Sequence, residues 1–309
     1  MPARFLTVIR VAAALVGGLV LLSCEEPVEL TIEQTKSRLV INSNFLPGEP
    51  VSLRISATRP VGGPVAAAIT DAVVTLYEGD ELAEELDYHT DESGGLGGHY
   101  RTKHFRPQVG QRYTVHVRAP GYDPVTAVSS IPEPVQLTGL QIVTLSSAVA
   151  DNKLTYDFTL LVEYADPDHE VNYYDLRVYQ RVTPYKLSDD GDTIRMSPYL
   201  KTVSTPAYEA GQAETISVLL QDRGPRGGVQ VHLRSYLDPR QELLGEIVAE
   251  LRTVSPEYYY FQRSLGPDLS GVSGGLQEPI ILFNNVSSGL GIFAGYTSVQ
   301  LALQLVASL

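Results

Sequence analysis

The chain has 309 residues, and 23 Lys and Arg against 36 Asp and Glu give it a formal net charge of −13 at pH 7. A surface with this negative balance and no basic cluster repels nucleic-acid phosphates, so we exclude nucleic-acid binding. The composition includes one Cys, no Trp and 18 Tyr, and a tyrosine-rich chain of this size favours β-strands with a core of ordinary density.

Residues 1–23 have the layout of an export signal peptide. Arg4 and Arg10 supply the basic region, and the uncharged run Val11–Leu22 is shorter than the about 20 residues that span a bilayer. The run ends in Leu21-Leu22-Ser23-Cys24, which is the pattern cut by lipoprotein signal peptidases. We therefore predict that Cys24 is the first mature residue and carries acyl chains such as palmitate. The alternative is an ordinary secretory signal with an unrelated cysteine.

Lipidation of Cys24 would leave no free thiol in the mature chain. Disulfides, Cys-ligated metals and cysteine nucleophiles are then excluded together. Glu25 and Glu26 follow directly, and the chain stays polar and acidic to about Lys36. We interpret residues 24–36 as an acidic tether.

Residues 37–132 alternate between short apolar-periodic segments and turns. Val51, Leu53 and Ile55 alternate with polar residues, which is typical of a half-buried strand. The predicted strands are Arg38–Phe45, Val51–Ala57, Ala72–Tyr77, Leu82–Tyr88, His99–Thr102, Arg112–Arg118 and Thr126–Ile131. Seven strands at this spacing predict an immunoglobulin-like β-sandwich domain.

Ile131-Pro132-Glu133-Pro134 is the predicted domain boundary, because alternate prolines form an extended connector. Ser255 and Pro256 are a helix start, so one short helix is predicted near 256–265. Other predicted elements of 133–309 are the strands Leu137–Leu145, Lys153–Glu163, Tyr173–Val182, Thr215–Leu220, Val229–Tyr236, Glu246–Val254, Ile280–Phe283 and Gly291–Ser298. The prediction is an all-β chain whose second domain is an antiparallel, β-sandwich-like unit.

Two short motifs resemble enzyme signatures without their context. Gly271–Gly275 matches G-x-S-x-G, but a loop precedes Ser273 and no histidine follows it, so we expect a loop. Gly289–Ala294 matches G-x-G-x-x-A, but no acidic residue follows Glu278, so we dismiss dinucleotide binding.

Two acidic loops are candidate calcium sites. Asp166, Asp168 and Glu170 alternate in one loop, and Asp189-Asp190-Gly191-Asp192 forms the tip of another. Neither has the twelve-residue calcium pattern, so solvated turns are favoured while calcium binding stays open. A glycan hydrolase that uses Asp166 and Asp168 is disfavoured, because neighbouring carboxylates on one loop rarely have the required separation.

The six histidines show no metal-binding spacing, although His104 and His116 could approach each other across a hairpin. They are His89, His99, His104, His116, His169 and His232.

In the predicted helix, Tyr258 and Phe261 share a face that would pack on the sheet, whereas Tyr259 and Tyr260 would be partly exposed. Core packing is the favoured role of this aromatic run, and an exposed contact is the second.

The chain resembles a family of Bacteroidota outer-membrane lipoproteins, the domain-of-unknown-function (DUF) 4249 family. The matching segments are Cys24–Leu30, Arg38–Asn42, Gly110–Val115, Ser255–Tyr259 and Asn284–Phe293. The resemblance implies an outer-membrane location beside TonB-dependent transporters, and a role of Glu25 and Glu26 as a signal for export to the outer face. It supplies no catalytic residue.

These observations favour a non-enzymatic binding or accessory subunit, lipid-anchored to the outer membrane and associated with a TonB-dependent transporter. The alternative is a structural or adhesive cell-surface module with no transporter partner. No cofactor, metal or catalytic residue is expected, and the ligand is left unknown.

Overall fold

The computed structural model describes residues 36–59, 68–90, 97–150, 152–167, 171–204, 217–221, 226–265 and 281–305. This part forms strands and one helix, and the alternation of buried and exposed residues predicted from the sequence runs along most of the strands. The elements are β1 (Leu39–Phe45), β2 (Ser52–Ala57), β3 (Val73–Glu78), β4 (Glu81–Glu85), β5 (Asp87–His89), β6 (His99–Arg101), β7 (Arg112–Arg118), β8 (Val125–Ser130), β9 (Leu137–Ala150), β10 (Lys153–Ala165), β11 (Tyr173–Leu187), β12 (Thr193–Arg195), β13 (Tyr199–Thr202), β14 (Ser217–Gln221), β15 (Arg226–Leu237), β16 (Glu242–Val254), α1 (Pro256–Leu265), β17 (Val286–Ser287) and β18 (Leu290–Gln304).

The described strands form three sheets. The largest has ten strands in the order β12-β11-β16-β18-β1-β2-β6-β5, with β13 and β14 also paired to β11. A five-stranded sheet has the order β17-β8-β7-β3-β4, and a three-stranded sheet has the order β15-β10-β9. All pairings in the described part are antiparallel except that of β1 with β18.

Two hydrophobic cores give this arrangement its sandwich-like packing. The first contains β1, β2 and the five-stranded sheet, and Phe45 stacks on Phe293 there with ring centroids 4.5 Å apart. The second joins β11 and β16 to the three-stranded sheet through Phe158, Leu176 and Leu251. The predicted all-β, sandwich-like class with one short helix is confirmed.

Strand β18 contributes to both cores because it is 15 residues long. Phe293 lies in the first core and Val299 packs against the second, so these alternate residues share one face of the strand. Ile292 and Ala294 lie on the opposite face, in a third cluster with α1. We predicted Gly291–Ser298 as a strand of the second domain, and in the structure it also pairs with β1.

Residues 37–309 form one compact unit. Residues 131–136 have no strand, and Ile131 is buried in the first core while Val135 is buried in the second. The division into domains at 132/133 stays a prediction. The signal peptide and most of the tether lie outside the described residues.

Two predicted strands differ from the structure. Leu82–Tyr88 divides at the buried Leu86, whose N–H donates to the carbonyl of Val74, and β4 and β5 then join different sheets. The predicted strand Ile280–Phe283 was wrong over its described residues: 281–285 have no strand, and pairing begins only at β17. Within this segment the N–H of Phe283 donates to the hydroxyl of Ser264 on α1 instead of to a neighbouring strand.

Candidate functional site

The face of the largest sheet that carries α1 holds an alternating set of charges. On β11 the residues Leu176 and Val178 face the second core, so Asp175 and Arg177 lie on the opposite face. The register of β11 with β16 sets Asp175 opposite Arg252 and Arg177 opposite Glu250. We call these four residues the charge grid, because each charge has an opposite charge beside it along the strand and across it.

The carboxylates of the charge grid are removed from solvent. Asp175 is fully buried and Glu250 is 6% exposed. Arg177 Nε lies 2.9 Å from Asp175 Oδ2, and Arg252 Nε lies 2.9 Å from Glu250 Oε1. Removing one partner from such a pair is costly because the other is left as an uncompensated buried charge.

Helix α1 packs against β11 and bonds to the charge grid through one hydroxyl. Tyr258 donates to Asp175 Oδ2 over 2.8 Å and accepts from Arg177 Nη2 over 2.9 Å. Ser217 of β14 donates to the other Asp175 oxygen over 2.6 Å. Burial, together with the charge of Asp175, raises the pKa of Tyr258 well above its usual value. The hydroxyl therefore stays protonated and keeps donating.

The helix begins where the sequence predicted. The Tyr258 N–H approaches Ser255 Oγ at 3.4 Å, and Pro256 occupies the first helical position. Ser129 of β8 donates to Glu257 Oε2 over 3.0 Å, and its Oγ also lies 3.1 Å from Ser255 Oγ. The start of α1 is thus held against the strands that form the first core.

Aromatic rings of α1, of β11 and of the segment before β17 form a cluster that is partly exposed to solvent. Tyr173, Tyr259, Tyr260 and Phe283, which we call the aromatic patch, contact one another with ring centroids 4.7–5.8 Å apart. The hydroxyls of Tyr173 and Tyr260 lie 3.0 Å apart. This hydrogen bond, with burial, raises the pKa of Tyr173 to about 12. Tyr260 is 40% exposed, and Ile281, two residues before Phe283, is 89% exposed.

The expected division of the helix faces was right in part. Tyr258 is buried and Tyr260 is exposed, as predicted. Tyr259 is also buried, contrary to the prediction, because its ring packs on Tyr173 of β11. Phe261 is only half-buried.

The segment before β18 forms an open polar pocket of about 440 Å³, lined by Arg38 and residues 284–289. Asn284 accepts from the Val286 N–H over 3.1 Å, and Asn285 accepts from the Phe293 N–H over 3.1 Å. Asn285 also donates to the carbonyls of Val128 and Phe293. Both amides are therefore used in shaping the loop and joining β8 to β18, rather than being available to a ligand.

Gly289–Ala294 leads into strand β18 instead of a helix, and its glycines have a structural purpose. Gly291 has a φ of +108°, and a Cβ there would lie 1.9 Å from the carbonyl oxygen of Ile41. The close parallel approach of β1 to β18 requires a residue without a side chain. The motif Gly271–Gly275 lies outside the described residues.

The structure separates the predicted acidic residues. Asp166 is 5% exposed, and it accepts from the hydroxyl of Tyr174, so its interpretation as part of a solvated turn was wrong. Asp168 and Glu170 lie outside the described residues. Asp189, Asp190 and Asp192 are exposed at the β11–β12 hairpin, which matches the solvated turn that we favoured.

No group of three or more His, Cys, Asp or Glu within the described ranges could hold a metal ion. His116 bonds to Thr126 over 2.9 Å and packs on Tyr77, and the N–H of His104 donates to Glu84. The sequence reasoning missed the pair His89 and His99, which the register of β5 with β6 sets opposite each other with ring centroids 5.9 Å apart.

Sequence reasoning also missed the charge grid. The alternation of Asp175 with Arg177 and of Glu250 with Arg252 was visible, but charges on alternate strand positions usually indicate a solvated face. Only the position of α1 shows that this face is covered.

Cys24, Glu25 and Glu26, the predicted lipidation and export residues, lie outside the described residues. In the part of the chain that the structure describes, no helix has the length and apolar character needed to cross a membrane.

A family model for a domain of unknown function, DUF4249, matches residues 25–302, and no curated protein sequence matches the chain. Because the family match covers nearly all of the 309 residues, the chain belongs to the DUF4249 family.

Proposed function

We propose that this chain is a lipoprotein of the outer membrane of a member of the Bacteroidota, and that it acts as a non-enzymatic binding or accessory subunit beside a TonB-dependent transporter. The observation that carries the proposal is Leu21-Leu22-Ser23-Cys24, a complete lipoprotein cleavage pattern after an export signal. Membership of the DUF4249 family is compatible with it. Glu25 and Glu26 support export to the outer face.

The aromatic patch is the surface that we assign to the partner. Tyrosine gives a large contact area and a hydroxyl for hydrogen bonding, and it has few rotatable bonds to immobilise on binding. Tyr260 is already held by Tyr173, and the adjoining Ile281 and Leu282 are exposed apolar side chains. A patch of this kind on a strongly acidic protein suits a protein partner.

The lipid anchor is tested by metabolic labelling with palmitate. Wild-type chain should incorporate label and fractionate with the outer membrane, whereas Cys24→Ala should lose the label and leave that fraction. Ser23→Ala is the matched control, because alanine is also small and should preserve cleavage. Equal labelling of Cys24→Ala and wild type would contradict the anchor.

The orientation is tested in intact cells with an added protease. Wild-type chain should be degraded, whereas the double variant Glu25→Lys, Glu26→Lys should remain lipidated but become protected. Protection of the wild-type chain would place it on the periplasmic face.

The partner is tested by purification from detergent-solubilised outer membranes. A transporter should co-purify with wild type, and Tyr260→Ala should reduce its recovery at unchanged chain stability. Leu82→Ala is the control, since Leu82 is exposed on β4, far along the chain from the patch. Absence of any transporter, with altered cell attachment in a deletion strain, would favour the structural or adhesive module instead.

A further inference from the structure

Strand β9 is a long edge strand without charge. It spans Leu137–Ala150 and pairs with β10 on one side, and no strand of the described part pairs with its other side. None of its 14 residues is charged, and each residue from Val143 to Ala150 is exposed. Among the described residues, the outer backbone N–H and C=O groups of residues 143–150 therefore have no strand partner and can accept another strand.

The other edge strands of the described part are either charged or much shorter than β9, and the uncharged β14 and β17 have only five and two residues. Strand β4, at the edge of the five-stranded sheet, has three glutamates in five residues. Strand β15, at the other edge of the three-stranded sheet, carries His232 and Arg234, and it bridges to Ser204. Strands β5 and β12 are only three residues long. Because natural proteins guard edges by such means, the long unguarded β9 indicates a pairing surface.

The register with β10 shows which β9 side chains share a face. Leu145 lies opposite Phe158, Ser147 opposite Tyr156, and Val149 opposite Leu154. Leu145, Ser147 and Val149 therefore continue the core-facing side of the three-stranded sheet. Yet Leu145 is 37% and Val149 is 72% exposed, so this end of the sheet lacks cover within the described residues.

We propose that β9 pairs with β9 of a second copy of this chain, antiparallel and about a two-fold axis at Ser147. In this register Leu145 of each copy lies opposite Val149 of the other copy. Both pairs lie on the same face of the sheet. Both exposed apolar side chains are then paired, while the small Ser147 lies on the axis. Two three-stranded sheets become one sheet of six strands.

A second copy fits this edge because the contact strand is neutral. Two chains of net charge −13 repel each other, but no charge of β9 adds to that repulsion. Pairing of about seven residues extends over about 24 Å and is smaller than a standard protein interface. We therefore expect a reversible dimer that depends on concentration.

Cysteine cross-linking of the full-length chain tests the two-fold axis directly. Residues paired across antiparallel strands have Cα atoms about 4.5–5.5 Å apart, which lies within disulfide range. Ser147→Cys should give a covalent dimer on mild oxidation, whereas Leu82→Cys on the guarded β4 edge should give no more dimer than the unsubstituted chain. Cross-linking of Ser147→Cys at this background level, or to a different protein, would overturn the proposal.

Charge substitution on the axis provides a second test, by sedimentation equilibrium of the detergent-purified chain. Ser147→Lys should weaken the dimer by about tenfold or more, because like charges would lie directly opposite each other. Mixing Ser147→Lys with Ser147→Glu should restore a heterodimer. Val73→Lys, at an exposed valine of β3, is the control and should dimerise as wild type does. A wild-type chain that is monomeric at all concentrations, or no rescue in the mixture, would refute the pairing.

Discussion

The hydroxyl of Tyr258 is expected to make a large contribution to stability, and Tyr258→Phe removes it with little change in volume. This hydroxyl donates to the fully buried Asp175 and accepts from Arg177, at 2.8 and 2.9 Å. A hydrogen bond to a charged group contributes about 1.5–3 kcal/mol. Asp175 keeps Arg177 and Ser217 in the variant, so we expect a loss of about 3 kcal/mol rather than the full sum of two such bonds.

The matched control is Tyr156→Phe. Tyr156 is also buried, at 4% exposure, but burial alone raises the pKa of its hydroxyl, with no contribution from a hydrogen bond. We expect its loss to change the free energy of unfolding by less than about 0.5 kcal/mol. Urea unfolding of each variant, followed by far-UV circular dichroism because the chain has no Trp, measures the difference.

A double-mutant cycle assigns the effect to the charge grid. If Tyr258 acts through Asp175, the losses from Tyr258→Phe and Asp175→Asn should be non-additive by at least about 1 kcal/mol. The reasoning fails if Tyr258→Phe costs no more than Tyr156→Phe, or if the two changes in the cycle are additive.

Three further substitutions test other parts of the fold. Glu84 accepts hydrogen bonds from the backbone N–H groups of residues 103–105, and these outweigh burial and lower its pKa below the usual 4.5. The ionised Glu84 therefore stabilises the fold above pH 4.5, and this stabilisation is lost as the pH falls through the lower pKa of the folded state. Glu84→Gln removes the titrating group, so Tm should fall less steeply with decreasing pH in the variant than in wild type. Gly291→Ala should lower the free energy of unfolding by at least about 2 kcal/mol in urea titrations, whereas Gly48→Ala, where a Cβ meets open space, should cost only about 1 kcal/mol. Asn285→Ala removes three hydrogen bonds between β8, β18 and the loop, and differential scanning calorimetry should show a loss of about 2–4 kcal/mol; a change below about 0.5 kcal/mol would contradict the linking role.

Much of the strand content was predictable because period-two alternation depends only on nearest neighbours. Val51, Leu53 and Ile55 are buried, as their spacing predicted. The pairing of strands that lie far apart in the sequence was not predictable in this way. A strand that packs in two cores has the same alternation of apolar and polar residues as a strand that packs in a single core. The role of β18 therefore required the structure.

In the candidate surfaces, too, local features were predictable from the sequence and contacts between distant residues were not. Ser255 and Pro256 predicted the helix start, since capping is a local interaction. Burial of Tyr259 depends on Tyr173, which lies 86 residues earlier in the chain, and no local signal reports that contact. The burial of Asp166 was not predicted for a different reason: its partner Tyr174 is only eight residues away, but a turn rich in Asp and Pro has the same local pattern whether it is solvated or buried.

The parallel pairing of β1 with β18 also has a consequence for how the chain folds. Val40 pairs with Leu290, so the strand nearest the start of the compact unit must wait until about 250 further residues have been synthesised. Until then β2 is the one sheet neighbour of β1 among the described strands, and the first core lacks Phe293. Contacts of such large sequence separation slow folding, since a long loop must close before they form. The first core therefore cannot be completed before β18 is available, and the apolar surface that Phe293 covers is prone to aggregation until then.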